Sequence, residues 1–211
     1  MKNKLLVGIC FLLSLFSVAQ TNQLLFKTSY GNFKVVLYDF TPKHRDLILD
    51  AIKDEVYREA FFNRIIENFV VQGGEHDDDI AEREANLLLE SRIRLLPEFD
   101  ERAFHKLGAL GAGRDENIDK ASFLNQIYFV VGKPVDITDL EKIEHQKKIK
   151  FTEQQIQTYL SQGGLPRLDY DYTVFGEVIE GLDVLLKISK VDTDKVGFPK
   201  ENVVFDIYIV K

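Results

Sequence analysis

The 211-residue sequence predicts a mainly-β protein built on a closed sheet, and two observations carry that expectation. Apolar, β-branched runs lie at both ends of the chain, residues 24–28 and 33–38 near the start and 203–209 at the finish. Pairing the terminal strands would close a barrel and remove the exposed edges that recruit other chains. Between the first two runs, Tyr30-Gly31-Asn32 supplies residue types that tolerate positive φ, so the pair reads as a hairpin. The composition is 45% hydrophobic and 29% charged with 13 Gly and 5 Pro, that of an ordinary globular domain, and no internal repeat is visible.

After the hairpin, Thr41-Pro42 offers a helix cap and a first-turn proline, and Leu47, Ile48, Ala51 and Ile52 recur at helical spacing up to about Lys53. Residues 61–72 are dense in Phe, Ile and Val and stop at Gly73-Gly74, which predicts one mostly buried strand. Residues 79–96 are read as helical until Pro97, with Asp79 to Arg83 and Glu90 to Arg94 as i, i+4 ion pairs. Two capping boxes, Thr138 to Glu141 and Thr152 to Gln155, each open a helix, and Gly163-Gly164 ends the second. Residues 79–96 and 136–163 are therefore expected to be helical insertions. Residues 172–178 form a strand, Gly181 starts a short apolar helix, and Val203, Phe205, Ile207 and Ile209 share one face of the last strand.

Residues 1–20 hold two lysines, an uncharged apolar run from Leu5 to Val18, then Ala19-Gln20, the pattern of a secretory signal peptide. That leaves residues 21–211 as a single domain, expected to be secreted across the inner membrane to the periplasm and to have no membrane association after cleavage. No later segment approaches the roughly 20 apolar residues of a spanning helix. The only cysteine, Cys10, would leave with the leader. With 27 basic against 34 acidic residues, the net charge of −7 is the wrong sign for neutralising phosphates, which argues against nucleic acid as a partner.

Several chemistries lack candidates. Gly108, Gly111 and Gly113 do not have dinucleotide-fingerprint spacing. His76-Asp77-Asp78-Asp79 is better read as a charge run at a helix start than as a metal site. With no nucleophile elbow and no mature cysteine, covalent catalysis has nowhere to start. What remains is FFNRIIENFVVQGG, residues 61–74, where Arg64 and Gln72 interrupt an apolar strand. Burying a guanidinium needs a compensating reason, whereas an outward-facing arginine needs none. Strand parity puts Arg64, Val70 and Gln72 on one side and Phe69 on the other unless a bend intervenes.

That segment, together with YGNFKVVLYDFTPKHRD (30–46), KLGALGAGR (106–114), NQIYFVVG (125–132) and LDYDYTVFGEVIEGLDVL (168–185), resembles the cyclophilin-type peptidyl-prolyl cis-trans isomerases over nearly the whole chain after the leader. The resemblance implies an eight-stranded antiparallel β-barrel capped by two helices. It also implies catalytic residues Arg64 and Gln72, with the glutamine supporting the arginine. Substrate contacts would come from Phe69, Val70, Gly113, Arg114, Gln126, Tyr128, Leu168 and Tyr172. Departures from the family pattern are Asn63 for histidine, Val70 for methionine, Gly113 for alanine, Ile127 and Tyr128 for phenylalanines, Tyr172 for histidine, and Arg167 where some members carry tryptophan. Gly113 is expected to widen the pocket floor.

The implied reaction is rotation about X-Pro bonds of unfolded or exported client proteins, by a monomer that needs neither cofactor nor metal. A non-catalytic peptide-binding module on the same fold is the alternative. The helices of residues 136–163 are expected either to wall or cover the substrate groove, or to cap the barrel's outer surface without touching substrate.

Overall fold

The computed structural model describes residues 22–210. Eight antiparallel strands close a barrel in the order β1-β2-β7-β5-β6-β4-β3-β8, where β1 is Gln23–Thr28, β2 Gly31–Leu37, β3 Ala60–Ile66, β4 Val70–Gly74, β5 Ala109–Ala112, β6 Gln126–Val130, β7 Val174–Glu180 and β8 Val203–Val210. The terminal strands β1 and β8 pair along their length, from Gln23 opposite Val210 to Thr28 opposite Phe205, so the closure expected from the chain ends is present.

Side chains of alternate parity fill the interior. Phe26 stacks on Phe33 at 4.8 Å, both meet Phe129 edge-on, and Phe62 packs on Phe205 at 4.4 Å. Helices α1 (Pro42–Lys53) and α5 (Leu182–Ile188) close on this same core through Ile48 and Ala51, and through Val184, Leu185 and Ile188. Thr41 precedes α1 but makes no capping bond from its side chain; the hydroxyl instead donates to the Tyr38 carbonyl. Gly181 precedes α5 at φ +77°, where a Cβ would press on the backbone of residues 32 and 33. On β8 the inward face holds Val203, Phe205 and Ile207, while Ile209, expected on that face, is 41% exposed.

Several expected boundaries are corrected. Residues 61–72 form not one strand but the hairpin β3-β4, turned at residues 67–69 with Asn68 at φ +60°. The helix expected over residues 79–96 is only α2, Asp77–Glu84, followed by a 3-10 turn at Leu89–Ser91 and irregular chain. Its expected ion pairs do not form: Arg83 bonds Glu75, and Arg94 reaches back to Glu84 at 2.6 Å and across to Asp115 at 2.9 Å. The sequence beyond Glu84 has no stripe to bury, and Leu88, Leu89 and Ile93 are all exposed. In the second insertion, α4 (Glu153–Gln162) starts with the expected Thr152–Gln155 capping box. Helix α3 (Ile137–Lys147) starts two residues earlier than the Thr138 box implied, because the Asp136 carboxylate accepts from the Asp139 amide. The strand expected at 172–178 begins at Val174. The expected signal peptide and Cys10 lie outside the described residues.

Candidate active site

The β3-β4 hairpin resolves the parity problem of the sequence. A tight turn, not a continuous strand, separates Arg64 from Phe69, so the ring folds back over the face that bears the arginine. Arg64 stands opposite Gln72, Gln72 opposite Tyr128, and Tyr128 opposite Gly111, a row across the outer faces of β3, β4, β6 and β5. Val71, Ile127 and Phe129, at the opposite parity, point into the barrel core. The guanidinium is thus neither buried in the core nor freely solvated; it lines a cleft on the barrel wall.

That cleft has a volume of about 180 Å³, and all ten residues named from the sequence line it. Its apolar side is one packed cluster in which Val70, Tyr128 and Leu168 are buried and Phe69 and Tyr172 partly so. Arg64 lies 5.7 Å from the Phe69 ring centre and, among the described residues, has no hydrogen bond or ion pair. Gln72, expected to support the arginine, stands opposite Arg64 across the strand pair, but no hydrogen bond joins it to the guanidinium, which lies against Phe69 instead. Asn63, beside the arginine, turns the other way and donates to the Gly74 carbonyl at 3.1 Å.

On the polar side, Gln126 donates through Nε2 to Asp77 at 2.6 Å and to the Glu75 carbonyl at 3.2 Å, leaving its side-chain oxygen available to accept. The space released by Gly113 is not open floor. A Cβ at Gly113 would overlap the Gln126 side-chain carbonyl, so the glutamine occupies the volume an alanine methyl would take. Arg114 donates to the Asp171 carbonyl at 2.5 Å and lies 4.6 Å from the Tyr172 ring centre, which fixes both against the segment that also carries Leu168.

Four contributors were not recognised from sequence. Asp77, read only as part of a helix start, orients Gln126, and Arg167 lies 4.7 Å from the Phe69 ring centre. His105 and Asp169 sit behind Tyr128: His105 Nε2 is 2.7 Å from the Tyr128 hydroxyl and Nδ1 is 2.7 Å from the Asp169 carboxylate. The sequence signal was Tyr128 itself, since a tyrosine hydroxyl in an apolar pocket needs a partner. Burial, with the nearby Tyr172 and Asp169 adding to it, pushes the Tyr128 phenol well above its ordinary value, so it stays protonated and can donate.

A sequence model of the family described as "Cyclophilin type peptidyl-prolyl cis-trans isomerase/CLD" matches residues 23–210. The chain belongs to the cyclophilin-type peptidyl-prolyl cis-trans isomerase family. Among its relatives, it is 25% identical over 210 residues to "Peptidyl-prolyl cis-trans isomerase A" of Dickeya dadantii, covering 96% of this chain and 92% of that one. It is 26% identical over 172 residues to the peptidyl-prolyl cis-trans isomerase of Acinetobacter baylyi, covering 81% and 73%. A crystal structure of a Cryptosporidium parvum cyclophilin type peptidyl-prolyl cis-trans isomerase superposes with a TM-score of 0.64 at 18% identity, covering 90% of this chain and 98% of that one. A second structure of that cyclophilin, in the presence of the dipeptide Ala-Pro, superposes with a TM-score of 0.63. In this cyclophilin the helices of residues 136–163 reach Tyr128 through Asp169 and His105.

Proposed function

We propose that this cyclophilin catalyses cis-trans rotation of X-Pro bonds in the cleft lined by Arg64, Phe69 and Tyr128. The observation that supports this reading best is the placement of an otherwise unbonded guanidinium beside the apolar wall of a cleft of about 180 Å³. Rotation about a prolyl amide faces a barrier of about 18–20 kcal/mol because resonance stiffens the C–N bond. Twisting localises the nitrogen lone pair, which then accepts a hydrogen bond that the planar amide cannot. Arg64 is the donor available for that lone pair, and it binds the twisted state in preference to either ground state.

Lowering the barrier by about 5–7 kcal/mol corresponds to an acceleration of about 10⁴ to 10⁵. Phe69, Val70, Tyr128 and Leu168 hold the proline ring, while Gln72, Gln126, Gly113 and Arg114 line the path of the flanking backbone, with Tyr172 at its edge. No step calls on a cofactor or a nucleophile. The apolar leader of residues 1–20 supports export, with residues 21–211 as the working domain and unfolded exported proteins as clients; prolyl isomerisation is slow enough to limit their folding.

The test is Arg64→Ala, assayed on an X-Pro peptide by NMR exchange or a protease-coupled rate. Among the described residues the side chain makes no hydrogen bond or ion pair and lies 5.7 Å from the Phe69 ring centre, so the variant should stay near its parent thermal midpoint and lose most of its activity. Full activity in the folded variant takes Arg64 out of the mechanism. Peptide binding by the parent protein without turnover supports the binding-module alternative.

A further inference from the structure

The inserted helices α3 and α4 contribute no residue to the lining of the cleft, yet both are tied to its walls from behind. From α4, the hydroxyl of Tyr159, itself fully buried, donates to Asp169 Oδ2 at 2.5 Å. Asp169 Oδ1 accepts from the His105 amide at 2.9 Å and lies 2.7 Å from His105 Nδ1. A carboxylate only accepts, so Nδ1 carries a proton, and with a single proton on the ring Nε2 accepts from the Tyr128 hydroxyl at 2.7 Å. Tyr159, Asp169, His105 and Tyr128 are each no more than 4% exposed, so water does not compete for any link of the chain.

From α3, Lys147 donates to the Asp169 carbonyl at 2.7 Å and to the Asp171 carboxylate at 2.6 Å. That fastens the short segment bounded by the pocket residues Leu168 and Tyr172. The barrel is shaped to accept the tyrosine: a Cβ at Gly111 would overlap the end of the Tyr128 ring and its hydroxyl.

We propose that the insertion is a brace for the proline pocket, in which Tyr159, Asp169 and His105 act as positioning residues that fix the tilt of the Tyr128 ring. The proposal rests on the reading of the cleft as a prolyl-peptide site. It sets aside the expectation that these helices wall or cover the groove and extends the other: they give no residue to its lining, yet they are bonded to the residues behind it. A phenylalanine at position 128 would be held by packing alone. The tyrosine is held at its far end as well, so the wall is set before the proline arrives and less ordering is needed on binding.

Tyr159→Phe removes a single hydroxyl remote from the cleft. Two measurements on this variant separate the brace from the isomerase reading. In the free protein, the NMR ring-flip rate of Tyr128 is expected to rise about tenfold, while the loss of a buried bond to a carboxylate lowers the thermal midpoint without unfolding the variant at the assay temperature. On an X-Pro peptide, KM is expected to rise about three- to tenfold with a smaller change in kcat. In a Tyr128→Phe background the same substitution should leave KM unchanged, because the coupling has already been cut. Lys147→Met, at a partly exposed position, cuts the other arm without touching the buried chain and should raise KM in the same sense.

Unchanged ring flips in Tyr159→Phe overturn the brace, as do additive effects of the two tyrosine substitutions on KM. If the parent protein neither binds nor isomerises the peptide, the isomerase reading fails, while the ring-flip rates still decide whether the chain positions Tyr128.

Discussion

Gly113 and Gln126 share one volume, and that exchange makes a prediction about the polar side of the cleft. Gly113→Ala costs nothing in backbone conformation, since its φ is not in the left-handed region, but the new methyl overlaps the Gln126 side chain from Cγ to Oε1. The glutamine must rotate, giving up its bond to Asp77. Losing one such bond weakens peptide binding by about 0.5–1.5 kcal/mol, or about two- to tenfold in KM, with kcat and stability little changed. A shift of the Gln126 side-chain amide resonances should accompany the change; unaltered resonances and KM would mean that the methyl is absorbed elsewhere. The ten residues that line the cleft were legible through the family resemblance of the short segments that carry them, where strand parity alone left the site open. Their supports were not. Asp77 meets Gln126 across 49 residues and Asp169 meets His105 across 64, and no local pattern encodes contacts of that separation. Gln72 was legible as a neighbour of Arg64, and the two are paired across β3 and β4, but the lean of the guanidinium toward Phe69 was not legible.

Among the secondary elements, the capping boxes divide by the bonds they actually make. Thr152 accepts from the Gln155 amide, while the Gln155 side-chain oxygen accepts from the Thr152 amide and its nitrogen donates to the Glu101 carbonyl, which docks α4 onto the barrel side. Thr152→Ala should therefore cost about 1 kcal/mol in chemical denaturation. Thr138→Ala, whose hydroxyl only donates to the Asp136 carboxylate at an exposed site, should stay within about 0.5 kcal/mol. Equal losses would show that both boxes carry the same weight. The local signal misled at Thr138 because Asp136 is an equally good cap two residues earlier. It misled at residues 79–96 because charge spacing alone, without a buried stripe, does not hold a helix. The terminal strands and the first hairpin were read correctly, since alternation and turn chemistry there agree with the burial that closure imposes. Helix α4 packs its Tyr159 against Phe104 and Phe151, so the insertion shares a small core with residues outside it.

Across the whole molecule, charge placement predicts how stability depends on pH. His44, buried on α1, lies 2.7 Å from Glu98 and 2.8 Å from the Ser122 hydroxyl, linking the helix to two irregular segments of the chain. Its imidazole is lowered from the ordinary 6.5, since burial outweighs the neighbouring Glu98. An unfolded chain therefore takes up this proton before the folded one does. The contribution of His44 is complete above pH 6.5 and is lost as the pH falls from there toward the lowered folded value. Carboxylates act further down. The Arg94 guanidinium holds Glu84 below its ordinary 4.5, and bonds from Arg94 and Asn117 hold Asp115 below 3.8 despite burial. Lys120 and Lys147 likewise hold Asp171 below 3.8 against the opposing effect of burial. Each contributes stability that is complete above its ordinary value and disappears as the pH falls through the depressed one. The urea midpoint should therefore decline in two stages, a shallow one starting near pH 6.5 and a steeper one below about pH 4.5. His44→Gln, which retains a hydrogen-bonding side chain without a titrating ring, should abolish the first stage and leave the second. A parent midpoint that does not change between pH 7.5 and 5.5, or a first stage that persists in His44→Gln, would assign the near-neutral dependence to a group other than His44.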